Sequence, residues 1–429
     1  MADQKQIVFI GYVWPESQTT AAGQNILSYL KTFLEDNWVV HFFCAAATSQ
    51  YSDNLLKLGI KIQQVELNND SFNSLIKQIS PQVVIFDRFL TEEQFGWRVA
   101  QHSPQTVRVL DCEDLHFLRT GRKDALKDLP LPRFQTSDFV LSPAHKKYLL
   151  NDKCYREIAS ILRCDLSIVL SSFERQLLIS EFNVPDTQIS HIPFIRDIKI
   201  APSREFSERQ HLISIGSLLH EPNVISTEIL IDLVMPVIRK QIPDVELHIV
   251  GRYAPHRITQ RLNAKKGILL KDYVEDHLAE ISQHRLLVSP LTFGAGIKGK
   301  IIDSFATNTP SITTPIGSEG IEVKPWPGAV VDNIDAFCQA IIDLYTDEDA
   351  WNKAASDCLQ AKTDSGVNLQ QNKIKLLNDI KYIQENLQQH RRQHFLQALL
   401  THQNSYASKY MGQWITAKNK LKDLMSDAE

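Results

Sequence analysis

The chain has 429 residues, 43% apolar and 22% charged, with a formal net charge of -4. That is too long for one ordinary domain, so two domains with an appendage are expected. The charge excludes a broadly electropositive nucleic-acid surface, and no apolar run reaches the roughly 18 residues that span a membrane. Six cysteines (Cys44, Cys112, Cys154, Cys164, Cys338 and Cys358) are scattered with no C-x-x-C pair. Buried free thiols in a reducing compartment are expected, and a structural zinc site is not. The N-terminus runs directly into a strand with no signal-peptide pattern, which points to a cytoplasmic protein.

Residues 7–11 (IVFIG) read as a buried first strand. The loop 12–24 holds Pro15 and Gly23, and a helix is expected over 25–35 with Ile26, Leu27, Leu30, Phe33 and Leu34 on one face. Further strands are expected at 39–45, 60–67, 83–86, 107–111 and 166–171, with helices between most of them. That alternation implies a parallel, Rossmann-like sheet, whose ligands bind beyond the carboxyl ends of the strands. Asp87 and Arg88 end one strand, either as acceptor contacts or as an edge ion pair. His116 follows another, in DCEDLHFLRTGRKDA, flanked by Asp111, Glu113, Asp114, Arg119 and Arg122. Composition alone leaves two readings: a site for a sugar or acceptor hydroxyl, or a salt-bridged helix start. Residues 126–143 read as an irregular loop. Glu174 opens a helix and suits its dipole without any function. The polar stretch 196–210 marks a domain boundary.

The second half opens on a strand ending at Gly216 and Ser217, with Pro222 and Asn223 leading into a helix. Arg252 ends the next strand, and Tyr273 and Val274 the one after. The most informative run is 289–321, SPLTFGAGIKGKIIDSFATNTPSITTPIGSEGI. Here Gly294, Ala295, Gly296, Ile297, Lys298, Gly299 and Lys300 lie between a strand and a helix. Glycines there let backbone N–H groups approach a ligand, and the helix start favours an anion. The run reads as a diphosphate cradle, or else as a tight turn with exposed lysines. Asp303, on the helix, stands where a carboxylate reaches ribose hydroxyls. The tail 368–424 is helical, with apolar residues recurring from Leu369 to Trp414. It is expected to pack on its own chain; oligomerisation, partner binding or peripheral membrane contact is the alternative. His390 and His394 have metal-ligand spacing but no third ligand.

The run 289–321 resembles the donor motif of retaining glycosyltransferases of the GT-B fold, family 4 (glycosyltransferase group 1), in the subgroup that carries FGAGIKGK. The opening GSLLHEPN resembles that family's "GS-x-x-x-x-PN", and DCEDLH resembles its "D-x-x-D-x-H". The resemblance implies an α/β protein: two Rossmann-like domains facing a cleft, with a C-terminal helical extension. It implies an N-terminal acceptor-side domain over 1–196, a nucleotide-sugar domain over 197–367 and helices crossing back over 368–429. It implies transfer of a hexose from a UDP- or GDP-linked donor to a saccharide, lipid-linked or protein acceptor. His116, Lys298 and Glu319 are then the catalytic candidates. Gly23, Gly216, Ser217, Arg252, Tyr273 and Val274 join 294–300 and Asp303 as donor contacts. Two glutamates eight positions apart, common in the family, fall here on Ala295 and Asp303, so the first acid is missing and Glu319 is its candidate substitute. No cofactor and no metal are expected, since no Asp-x-Asp motif stands in a suitable place. A non-catalytic GT-B subunit that binds acceptor or a catalytic partner is the alternative. A phosphorylase needs a lysine placed for pyridoxal phosphate, and nothing marks one. Assembly of cell-surface saccharide at the inner membrane face is the expectation by analogy.

Overall fold

Near-continuous apolar runs, buried on both faces, make parallel strands. The strands of the first sheet are β1 Gln6–Gly11, β2 Val39–Cys44, β3 Lys61–Gln64, β4 Val83–Asp87, β5 Val107–Asp111, β6 Leu166–Val169 and β7 Ile189–His191, and the edge strand β3 (KIQQ) departs from the apolar pattern and is largely exposed. Their order is β3-β2-β1-β4-β5-β6-β7 and every pairing is parallel. The second sheet has β8 Gln210–Ile215, β9 Leu247–Val250, β10 Ile268–Lys271, β11 His284–Ser289, β12 Ser311–Thr313 and β13 Gly328–Val330. It is ordered β10-β9-β8-β11-β12-β13, again all parallel. In each sheet the strand order reverses once, between β1 and β4 and between β8 and β11. Beyond the carboxyl ends of those pairs lies the usual ligand crevice. This computed structural model describes residues 4–16, 21–128, 143–196 and 204–426. Most of the expected loop 126–143, and residues 197–203 of the linker 196–210, lie outside them.

The chain divides into two units. The first is Met1–Asp114, Asp152–Ile195 and Leu369–Glu429; the second is Leu115–Asn151 and Arg196–Asn368. Residues 115–151, expected in the N-terminal domain, group with the second unit. The physical reason is apolar: Ala125 and Leu126, on the helix His116–Lys127, cluster with Phe293 of the glycine loop.

The tail belongs to the first unit. On the helix Leu369–Glu385, Leu376, Ile380 and Ile383 are buried in one core with Phe9, Phe33 and Phe42 of the first sheet and its covering helix. Beyond it, the His390 ring donates to the Asp165 carbonyl at 2.8 Å, and Arg391 grips both Asp165 carboxylate oxygens at 2.8 and 2.7 Å. Burial alone would push the Asp165 carboxyl up, but Arg391 and Arg108 outweigh it and hold the pKa below the usual value. His394 pairs with the Thr187 hydroxyl at 2.8 Å and the His390 carbonyl at 2.7 Å. Both histidines thus serve packing. All six cysteines are buried and none forms a disulfide. No helix among the described residues is long and apolar enough to cross a membrane.

Candidate active site

Strand β8 runs out at Gly216, whose φ of +147° favours glycine. A Cβ there would come within 2.8 Å of Asn223 Nδ2 and 3.2 Å of Lys300 Nζ. Next to it, a Cβ on Gly251 would meet the Gly216 carbonyl at 2.2 Å. The bare backbone at these two strand ends therefore lets a lysine head reach the sheet. Asn223 fixes that lysine: its Nδ2 donates to the Ser217 carbonyl at 2.9 Å, and its Oδ1 accepts from Lys300 Nζ at 2.7 Å. The ammonium of Lys300 is partly buried and held by a neutral amide. Burial, helped by the Lys298 charge, pushes its pKa down to about 8.

On the other side of the switch point, β11 leads into the glycine loop. Gly294 and Gly296 take φ of +156° and +66°. Lys298 then caps the helix Gly299–Ala306, is itself buried, and donates to the Gly296 carbonyl at 2.8 Å. Two ammonium groups and a helix start thus share one end of one sheet, which is an arrangement for an anion.

A buried arginine anchors the loop. Arg122 donates to the Gly294 carbonyl at 2.7 Å and to both oxygens of Glu319 at 2.9 and 2.6 Å. Glu319 therefore meets a guanidinium with both oxygens, which ties its turn to the glycine loop through Arg122. The turn before it is fixed locally: Thr314 Oγ1 donates to the Leu291 carbonyl at 2.5 Å and accepts from Gly317 N–H at 3.2 Å. Asp303 is likewise engaged. It pairs with Arg196, and its second oxygen lies 3.5 Å from His277 Nε2. Arg252 stacks on the Tyr273 ring, 4.1 Å from guanidinium to centroid, and Val274 follows that ring. Thus Gly216, Ser217, Lys300 and Asn223 come together in direct contact, with the loop 294–299 across the switch point and Arg252 and Tyr273 stacked at the ends of β9 and β10. His116 opens the helix that carries Arg122.

Gly23 departs from expectation. It lies inside the helix Ala21–Glu35, not in a loop, and a Cβ there would meet the Glu16 backbone at 2.6 Å. Close packing of that helix on the chain before it explains the glycine.

The first unit has its own crevice, at the ends of β1, β4 and β5. Tyr12 N–H donates to Asp87 Oδ2 at 3.0 Å, and Arg88 Nε lies 3.7 Å from Asp87 Oδ1. Arg88 and Glu113 both hold positive φ, 67° and 56°, an uncommon backbone state for such residues. Asn25 donates to Glu113 Oε1 at 3.2 Å. Burial is the main reason the Glu113 pKa rises to about 7, with Asp87 adding to it and Arg88 opposing; Asp111 is raised for the same first cause. Between pH 4.5 and 7 the unfolded chain has released the Glu113 proton and the folded chain keeps it. Stability contributed by the neutral form is therefore complete below pH 4.5 and lost as pH rises through 7, by up to about 3 kcal/mol. Glu113→Gln should flatten the fall in unfolding midpoint between pH 5 and 8. An unchanged slope would refute the assignment.

Residues 209–347 match the family model described as glycosyl transferases group 1. Several solved structures are similar in fold. The sucrose-phosphate synthase of Thermosynechococcus elongatus is 13% identical with a TM-score of 0.64, over 89% of this chain and 99% of that one. A glycosyltransferase of Rickettsia africae gives 13% and 0.64 over 90% and 100%. Anabaena HepE, solved with UDP and glucose, gives 11% and 0.63 over 88% and 100%. A comparison with curated proteins gave no match. The fold is GT-B, two Rossmann-like units with a C-terminal helical extension. With residues 209–347 matching that model, the protein is an enzyme of the glycosyltransferase class.

Asn223, Arg122, Arg196 and His277 are the site residues the sequence reading left without a role. Asn223 and Arg122 stood inside quoted motifs. No local signal marks Arg196 or His277.

Proposed function

We propose that the protein is a retaining glycosyltransferase that moves a hexose from a UDP- or GDP-linked donor to an acceptor hydroxyl in cell-surface saccharide assembly. The observation that carries this reading is Lys300: a partly buried ammonium held by a neutral amide at the switch point. Such a group favours an anion and loses little in meeting one. In the transfer the sugar C1–O bond to the diphosphate breaks, a bond from the acceptor oxygen to C1 forms, and the hydroxyl proton leaves. Negative charge grows on the departing diphosphate. Lys298, Lys300, the loop N–H groups and the start of the helix Gly299–Ala306 are preorganised to meet it. Tyr273, Val274 and Arg252 offer a flat polar face for the base. Asp303, its charge balanced by Arg196, keeps acceptor capacity for ribose hydroxyls. His116 is the candidate nearest the transferred sugar. The reaction asks nothing of a metal in this scheme.

The engaged carboxylates of Glu319 and Asp303, with alanine at 295, favour one second reading: a non-catalytic subunit that binds acceptor or a catalytic partner. Thermal unfolding with UDP, GDP, ADP and their sugar conjugates tests the first. A ligand at a hundred times its dissociation constant adds about 2.7 kcal/mol. One nucleotide family should raise the midpoint, and Lys300→Met should abolish the rise. No shift with any nucleotide would defeat the donor site. Binding without release of nucleotide, across acceptors, would favour the second reading. Anomeric configuration of the product, by NMR, decides retention.

A further inference from the structure

At the opposite, amino-terminal edge of the second sheet, three histidines lie in a row across adjacent strands: His211 on β8, His248 on β9 and His284 on β11. Their hydrogen bonds define which ring nitrogen carries a proton. His284 Nδ1 lies 2.8 Å from the Glu280 carbonyl, which only accepts, so the proton sits there and Nε2 presents a lone pair. His248 Nε2 lies 2.9 Å from Glu246 Oε2, also an acceptor. A proton on that nitrogen leaves Nδ1 with a lone pair. These two lone-pair nitrogens, His284 Nε2 and His248 Nδ1, face each other at 2.8 Å. With one proton per ring, one of the contacts sets two acceptors together. A third proton or a metal ion removes that conflict.

We propose that His248 Nδ1, His284 Nε2 and Glu280 Oε1 form a binding site for a divalent transition ion of the zinc class. Glu280 Oε1 lies 3.8 Å from His284 Nε2, and the three ligand atoms fall within 4.8 Å of one another. Separations of 2.8 and 3.8 Å bracket the about 3.3 Å that two ligands keep around tetrahedral zinc. Each histidine already has the outer partner that zinc ligands use, a backbone carbonyl for His284 and a carboxylate for His248. Lys271 donates to Glu280 Oε1 at 2.6 Å and must swing away; its side chain is 40% exposed. His211 is not a ligand: its Nδ1 accepts from Glu246 N–H at 3.2 Å, which puts the ring proton on Nε2.

The ion would be structural, since the anion cradle lies at the carboxyl ends of the same strands. It would fasten the helix His277–Ser282, which carries Glu280 and also sets His277 against Asp303. It is separate from the metal-free transfer proposed above and stands or falls apart from it.

The test uses the full chain, free of any histidine tag and stripped with chelator. Titration with Co2+ should give the visible absorption of a tetrahedral site at one ion per chain. Zn2+ should raise the unfolding midpoint and excess chelator should reverse it. Glu280→Gln, which keeps shape and loses only charge, should weaken binding by about tenfold or more. His284→Ala should abolish it, and His211→Ala should leave it unchanged. No binding by the folded wild type at micromolar ion would overturn the proposal. So would unchanged affinity in Glu280→Gln, or loss of binding in His211→Ala alone.

Discussion

Lys300→Met is expected to slow donor turnover about a hundred- to a thousand-fold while leaving the unfolding midpoint unchanged or higher. The rate loss is that of removing one preorganised charge from a departing oxyanion. Stability is spared because methionine keeps the stem in place and removes an ammonium whose burial is unfavourable. The same lysine predicts a pH signature. Free, it titrates near 8; beside a diphosphate its charged form is favoured, so binding above that pH takes up a proton. Nucleotide affinity should therefore decline as pH rises past 8, and calorimetry in buffers of different ionisation heat should show the uptake. Full activity in Lys300→Met would remove the central residue from the scheme.

Arg122→Ala should be the most destabilising single change in the second unit. It leaves the half-buried Glu319 without its bidentate partner and the Gly294 carbonyl without that donor. Breaking a buried pair on one side costs about 3 to 5 kcal/mol. Arg122→Lys should rescue little, since a point-like ammonium lacks the planar fork that meets both carboxylate oxygens side by side. Arg122→Met combined with Glu319→Gln should recover much of the loss in stability but not the loop geometry, so donor binding should stay weak. Chemical denaturation of the wild type, Arg122→Met, Glu319→Gln and their combination measures the coupling. Additive effects of the two single changes would show that the pair does not act as a unit.

The fold was legible because its cues are local. Apolar runs such as IVFIG and VVIF mark buried strands, and alternation with helices marks a parallel sheet. The glycine turn between β11 and the helix Gly299–Ala306 was legible for the same reason: glycines and lysines at a strand-to-helix turn need no distant partner to be recognised. What escaped were contacts across the sequence. Arg122 and Glu319 are 197 residues apart, and Lys300 and Asn223 are 77 apart. Each residue looked like an ordinary surface charge or motif letter until folding joined them. Gly23 was read in a loop and lies on a helix, whose close approach to the Glu16 backbone no local pattern announces. The row of histidines was invisible because each stands alone in its own strand.

The chain leaves one unit and enters the other at 114–115, 151–152, 195–196 and 368–369. For anyone building chimaeras, the second unit is therefore not a cassette. A cut at 196 and 368 yields a continuous fragment that lacks the helix His116–Lys127. Such a fragment carries Glu319 without its guanidinium and Phe293 without its apolar cover. Swapping donor specificity between relatives would require transplanting two separate stretches together.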